Sequence, residues 1–261
     1  MIKKLVKYDI MKMSRILVYI YVVALAFAII TRLINIGNSI QIIDIIGKVF
    51  AGITYSVIIN ILINNFVHIL NVFINSFYKD ESYLTHTLPV TKGQLLASKI
   101  ISALVVTLVS FLVSVVAILI IHYSSTMFDT LAFLIEMAVS GFNMSATLFV
   151  VIVSILLFLQ LFCITLMTFT AVVKANRYNS NRILKGLIWF FIYYFGASII
   201  TLLVAVTIFA ITGNIGQVFA SQLSQFSFLT LMWVAVVMYL IYSVFYTFIC
   251  YRLFNKGVNI D

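Results

Sequence analysis

The sequence predicts an all-α integral membrane protein with six transmembrane helices, an N-terminal amphipathic interface helix and both termini in the cytoplasm. Three observations carry that prediction. Of 261 residues, 64% are apolar and only 9% are charged, where a soluble domain is about half apolar and about a quarter charged. The mean hydropathy is +1.20, as for a chain that lies largely in hydrocarbon. The few charges also leave six apolar runs, each long enough for the roughly 20 residues a helix needs to cross the bilayer core. Together these exclude a water-soluble domain, a disordered tail and a fibrous repeat.

The elements follow in order along a single transmembrane domain, 1–261. Residues 1–15 read as a basic helix lying in the interface. Ile2, Leu5, Val6, Ile10 and Met13, continued by Leu17, share one face, while Lys3, Lys4, Lys7, Lys12 and Arg15 cover much of the rest. The first span is about 16–34. Within it Ala26-Phe27-Ala28 has the form of a signal-peptidase site, but the apolar run continues through Ile29 and Ile30, so the segment reads as a retained anchor. The remaining spans are about 49–75, 100–122, 145–173, 187–212 and 229–251. No charge separates the last two; a polar stretch opening on Gly213 and Gly216 divides them instead.

Lys and Arg are retained on the cytoplasmic side of a membrane. The N-terminal helix, the connection after span 2 (Lys79, Lys92, Lys99), the connection after span 4 (Lys174, Arg177, Arg182, Lys185) and the C-terminus (Arg252, Lys256) therefore face the cytoplasm. Only Arg32 and Lys48 fall on the other side. The net charge of +9 is topogenic, with some affinity for anionic lipid head groups. No basic stripe interleaved with aromatics points to nucleic acid. Cys163 and Cys250 both lie in apolar runs and read as packing residues, not a disulfide framework.

Catalytic and nucleotide-binding patterns are missing. Gly47-Lys48, the only Gly-Lys pair, lacks the upstream glycine and the Ser or Thr of a phosphate-cradling loop. His68, His86 and His122 fall on two sides of the membrane and make no common metal site. No span carries a mid-membrane acid, which weakens an ion-coupled carrier.

Two features stand out. On span 2, Ser56, Asn60, Asn64, His68, Asn71 and Asn75 recur every three or four residues and share a sector of about 120°; Asn65 lies at its edge. An amide facing lipid is costly, so this face is expected to meet another helix or a wet cavity. It lines a pathway or subunit interface, or else serves as hydrogen-bonding glue between helices. The second feature is the cytoplasmic connection 76–99. Pro89, the only proline, divides it. Thr91 and Gln94 form a T-x-x-Q capping box opening the helix of span 3. Before the break, Tyr78, Glu81 and Thr85, with Tyr83, Leu84 and Leu88, form a short amphipathic helix. A simple turn needs only a few polar residues, so a capped, proline-broken element with aromatics and acids reads as a docking surface.

The run Asp80-Glu81-x-Tyr83-Leu84-Thr85-x-Thr87-Leu88-Pro89-Val90-Thr91, followed by Gln94-Leu95-Leu96-x-Ser98-Lys99, resembles the loop between spans 2 and 3 of bacterial, Firmicute-like type-2 ATP-binding-cassette exporter permeases. The six-span layout, the basic N-terminal helix and the lack of an ATP site are similar to that family as well. The resemblance implies a subunit of the plasma membrane that docks on a cytoplasmic ABC ATPase, present in two copies, and pairs with a second, identical or paralogous, permease chain. It implies that Asp80, Glu81, Tyr83, Leu84 and Thr85 are coupling contacts, that Pro89 and Thr91 hold the helix–turn geometry, and that short external helices lie between spans 5 and 6. The chain itself is then no enzyme and holds no cofactor; ATP and magnesium belong to the partner. Its cargo is expected to be hydrophobic or amphipathic peptides of the bacteriocin or cytolytic type, with drugs or lipids as the alternative. Competing readings are an ATP-independent channel or secondary carrier, and a membrane immunity or sensor protein.

Overall fold

The computed structural model describes residues 2–36, 41–79, 81–87, 89–121, 145–178, 181–213 and 225–256, together with 133, 135 and 216. Among these residues the regular structure is helical. The helices are α1 (Ile2–Ile36), α2 (Gln41–Tyr78), α3 (Ser82–Thr87), α4 (Lys92–Ile121), α5 (Ala146–Ala175), α6 (Arg182–Ile211) and α7 (Gln225–Asn255). Six of them are long and apolar enough to cross a membrane. The chain is thus built as a multi-pass membrane protein, as its six apolar runs predict.

The helices begin and end where local chemistry allows. Ser145 caps α5, its hydroxyl accepting from the Leu148 amide. Asn181 precedes α6 at φ 51°, in the left-handed region that asparagine tolerates better than most residues. At the far end of α6, Gly213 takes φ 72° and its amide donates to the Ala210 carbonyl at 3.2 Å. A glycine there closes the helix without a Cβ penalty.

α1 differs from expectation. It runs unbroken from Ile2 to Ile36, about 50 Å at 1.5 Å per residue, through the expected junction between interface helix and first span. Its buried residues explain the continuity: Asp9, Met13, Leu17, Tyr21, Ala24, Ala28 and Thr31 form one stripe at three- and four-residue spacing. The basic part packs on the same seam as the apolar part.

The chain divides into two compact units. The N-terminal unit holds α1, α2 as far as Ser76, and α4. Small side chains let its helices approach closely: Ala24 and Ala28 on α1, and Ser102, Ala103, Ser110, Ser114 and Ala117 on α4, are all buried. Ala28, Ile58, Ala117 and Ile121 form one apolar cluster there. The C-terminal unit holds α5, α6 and α7, and also Phe77–Thr87. Phe162, Leu166, Met167 and Phe169 of α5 form its centre. Phe77 and Phe254 are both fully buried, with ring centroids 4.7 Å apart. By contrast, α6 buries only Ala197 and Phe209, leaving most of an apolar helix uncovered by the chain.

Candidate functional site

The segment following α2 carries the residues that sequence reasoning marked for docking. Glu81 is partly exposed and its carbonyl accepts from the Thr85 amide and hydroxyl, both at 2.9 Å. This starts α3, whose Tyr83 and Leu84 are 72% and 73% exposed. Tyr78 closes α2 and takes no part in the short helix. Pro89 is exposed, and the capping box beyond it is made reciprocally. The Thr91 amide donates to Gln94 Oε1 at 3.2 Å, and the Gln94 amide to Thr91 Oγ1 at 3.3 Å. Asp80 and Leu88 lie outside the described residues, as do His122, most of 123–144 and most of 213–228, the segment where the short external helices were expected.

The polar face of α2 is arranged differently from the simplest expectation. Ser56, Asn60, Asn64 and Asn71 are exposed, and His68 and Asn75 are partly buried. The exposed groups satisfy one another or their own helix: Ser56 donates to the Gly52 carbonyl at 3.1 Å, and Asn64 to the Asn60 carbonyl at 3.0 Å. His68 Nε2 lies 3.4 Å from the Lys12 carbonyl of α1. The buried residue is Asn65, at the stripe's edge, which donates to Thr107 Oγ1 of α4 at 3.4 Å. Its own Oδ1 has no partner among the described residues. The bonds from this face to other helices are therefore those of Asn65 and His68, while the chain leaves four members of the stripe uncovered.

The N-terminal unit holds a group that sequence reasoning missed. Asp9 of α1 accepts from Lys99 Nζ of α4 at 2.6 Å and from Ser98 Oγ at 3.0 Å. Lys99 also donates to Ser76 Oγ of α2 at 3.0 Å. The two charged side chains are only 12% and 7% exposed. Three helices of the N-terminal unit are thereby tied at the end where α2 leaves and α4 returns. Lys99 was read as one more topogenic charge. The available signal was Asp9 itself, a lone acid four and eight residues before Met13 and Leu17, hence on the packed face, where a charge demands a partner.

The C-terminal unit has its own cationic end. Lys174 Nζ sits 3.1 Å from the centre of the Trp189 ring, and Lys185 Nζ 4.4 Å from that of Tyr178. Such contacts hold an ammonium against aromatic faces at a membrane boundary. Among the described residues, no three of His, Cys, Asp and Glu come together as metal ligands would.

Compared with known proteins, the chain matches no family model, no curated protein and no solved structure. Function is therefore argued from the residues above.

Proposed function

We propose that this chain is the membrane permease subunit of an ATP-driven exporter of the type-2 ABC kind, set in the plasma membrane with both termini inside. One observation carries the reading: a short helix between two long apolar helices presents Tyr83 and Leu84 to solvent, held between Glu81 and a proline-and-capping-box turn. Large apolar side chains at so exposed a site, outside the spanning segments, fit a protein partner. The partner is a cytoplasmic ATPase, and Asp80, Glu81, Tyr83, Leu84 and Thr85 are its contacts.

The surroundings give that contact a route inward. Ser76, which ends the N-terminal unit's share of α2, is hydrogen-bonded to Lys99 and through it linked to Asp9. A displacement of the docking helix therefore pulls on α1 and α4 together. Phe77, the next residue, is seated against Phe254, so the same displacement reaches α7. The uncovered face with Ser56, Asn60, Asn64 and Asn71 is where the second permease chain sits, because amides are costly against lipid and cheap against a partner or a hydrated path. Cargo passes between the two chains by alternating access. An uncharged lining of amides and hydroxyls fits hydrophobic or amphipathic peptides.

Co-purification with the ATPase encoded beside this chain tests the reading. The wild type is expected to bring down the ATPase and stimulate its hydrolysis. Glu81→Lys combined with Leu84→Ala is expected to cut recovery at least tenfold while the chain keeps its elution profile. A chain that binds no such ATPase, yet conducts ions or solute alone in vesicles, is a channel or carrier instead. Binding without any flux points to an immunity or sensor protein.

A further inference from the structure

The C-terminal unit contains a cleft of about 380 Å³ between α5, α6 and α7, near the lower end of the roughly 300–1,000 Å³ usual for small-molecule sites. It lies at mid-depth: Gln160 and Tyr239, which line it, stand at the midpoints of α5 and α7. Most of its wall is apolar, including Met167, Leu202 and Val234. Among the described residues, no Lys, Arg, Asp, Glu or His lines it. A charged guest would therefore lie uncompensated in hydrocarbon.

Its polar groups are divided in a telling way. Tyr242 and Thr201 already have partners: both hydroxyls lie within hydrogen-bonding distance of the Ala197 carbonyl, at 2.8 and 2.9 Å respectively, and 2.9 Å from each other, so their two protons are taken up within this triangle. The Gln160 amide and the Tyr239 hydroxyl, by contrast, have no hydrogen-bond partner among the described residues. An amide halfway through a membrane helix without a partner is expensive. A ligand with a hydroxyl or ester group removes that cost, and an apolar tail fills the rest of the wall.

We infer that this cleft is a binding site for an uncharged single-chain amphiphile of the monoacylglycerol class, held by its head on Gln160 and Tyr239. The cleft is made by one chain alone, so the site does not rest on the exporter reading and is tested without an ATPase.

The full-length chain in lipid nanodiscs is irradiated with a photoactivatable monoacylglycerol analogue, and labelled peptides are mapped by mass spectrometry. Label is expected to concentrate on 160–167, 194–205 and 231–242, and to be displaced by unlabelled monoacylglycerol. Gln160→Leu, which keeps the bulk and removes the amide, is expected to lower labelling about fivefold, the effect of losing one net hydrogen bond. Ala205→Phe, which fills the cleft from α6 and leaves Gln160 in place, is expected to lower it as much. An alkyl sulfonate analogue of equal length, permanently anionic, is expected to label the cleft several-fold less. Elution profile and melting temperature confirm that both variants fold; if Gln160→Leu does not, Ala205→Phe decides. Label spread evenly over the lipid-facing helices, indifference to the deciding variant, or equal labelling by the sulfonate overturns the assignment.

Discussion

The two units hold their helices together with a different balance of polar bonds. In the N-terminal unit the short contacts between helices join two side chains: Tyr21 with Ser110 at 2.5 Å, Thr31 with Thr54 at 2.7 Å, and Lys99 with Asp9 at 2.6 Å. The bonds from a side chain to a backbone carbonyl on another helix are longer there, 3.4 Å for Ser102 to Val6 and for His68 to Lys12. In the C-terminal unit one side-chain pair, Thr201 with Tyr242 at 2.9 Å, stands beside three bonds to backbone carbonyls. Tyr242 reaches the Ala197 carbonyl at 2.8 Å, Tyr246 the Tyr193 carbonyl at 3.1 Å, and Thr170 the Tyr246 carbonyl at 3.2 Å. A helix carbonyl has a second lone pair for such a bond and is present whatever side chain the residue bears. The first unit therefore leans on matched pairs, the second more on tyrosines and threonines that reach carbonyls.

The largest test of this contrast is the buried ion pair. Removing one partner of such a pair leaves an uncompensated charge and costs about 3–5 kcal/mol. Asp9→Ala or Lys99→Ala is expected to destabilise the N-terminal unit by that order, read as faster hydrogen exchange in α1 and α4. The double variant should be less damaged than the sum of the two singles; strict additivity would sink the pairing argument.

The next effect belongs to the other unit. Truncating a buried Phe typically costs about 3–5 kcal/mol, so Phe254→Ala is expected to loosen α7 and the stretch 77–87 with it. Exchange that rises in α1 instead would reassign Phe254 to the wrong unit. Smaller again is the cap: Thr91→Ala should cost about 1 kcal/mol and fray only the first turn of α4, visible as lost protection of the Gln94 and Leu95 amides.

The smallest effects sharpen the contrast most directly. Interhelical hydrogen bonds in membranes average about 0.6 kcal/mol. A cycle of Thr31→Val and Thr54→Val is expected to show coupling of that size, since each loses the same bond. For Tyr246→Phe with Tyr193→Phe, coupling through the carbonyl bond should be absent, because the acceptor is not a side chain. Coupling there of equal size would have to come from the ring contact between the two residues, 5.5 Å between centroids, and would erase the distinction.

Much of the fold is legible in the sequence because hydrocarbon imposes so simple a demand. Six long apolar runs mark six helices, and the Thr91–Gln94 box and Pro89 mark a turn whose geometry is local. What periodicity cannot convey is which neighbour a face meets. The α2 amides do share a side, as their spacing requires, yet the residue that bonds to α4 is Asn65, at the edge. The Asp9–Lys99 pair is invisible to local reading, since its members stand 90 residues apart and each looks like a solvated or topogenic charge. The unbroken α1 was missed for a related reason: the basic residues read as a surface, while the seam beneath them continues at the spacing of a packed helix.

The stretch Phe77–Thr87 belongs to the C-terminal unit although the chain on either side of it, up to Ser76 and from Leu88, belongs to the N-terminal one. The C-terminal half is thus not self-sufficient: a piece of it is encoded in the first half of the gene. A protein cut in the connection after α4 leaves a first fragment that carries a hook, with Phe77 at its base, and a second fragment with an empty seat against Phe254. Two such fragments made separately in one cell have a built-in means of finding each other, and a free peptide copying 77–87 competes for that seat.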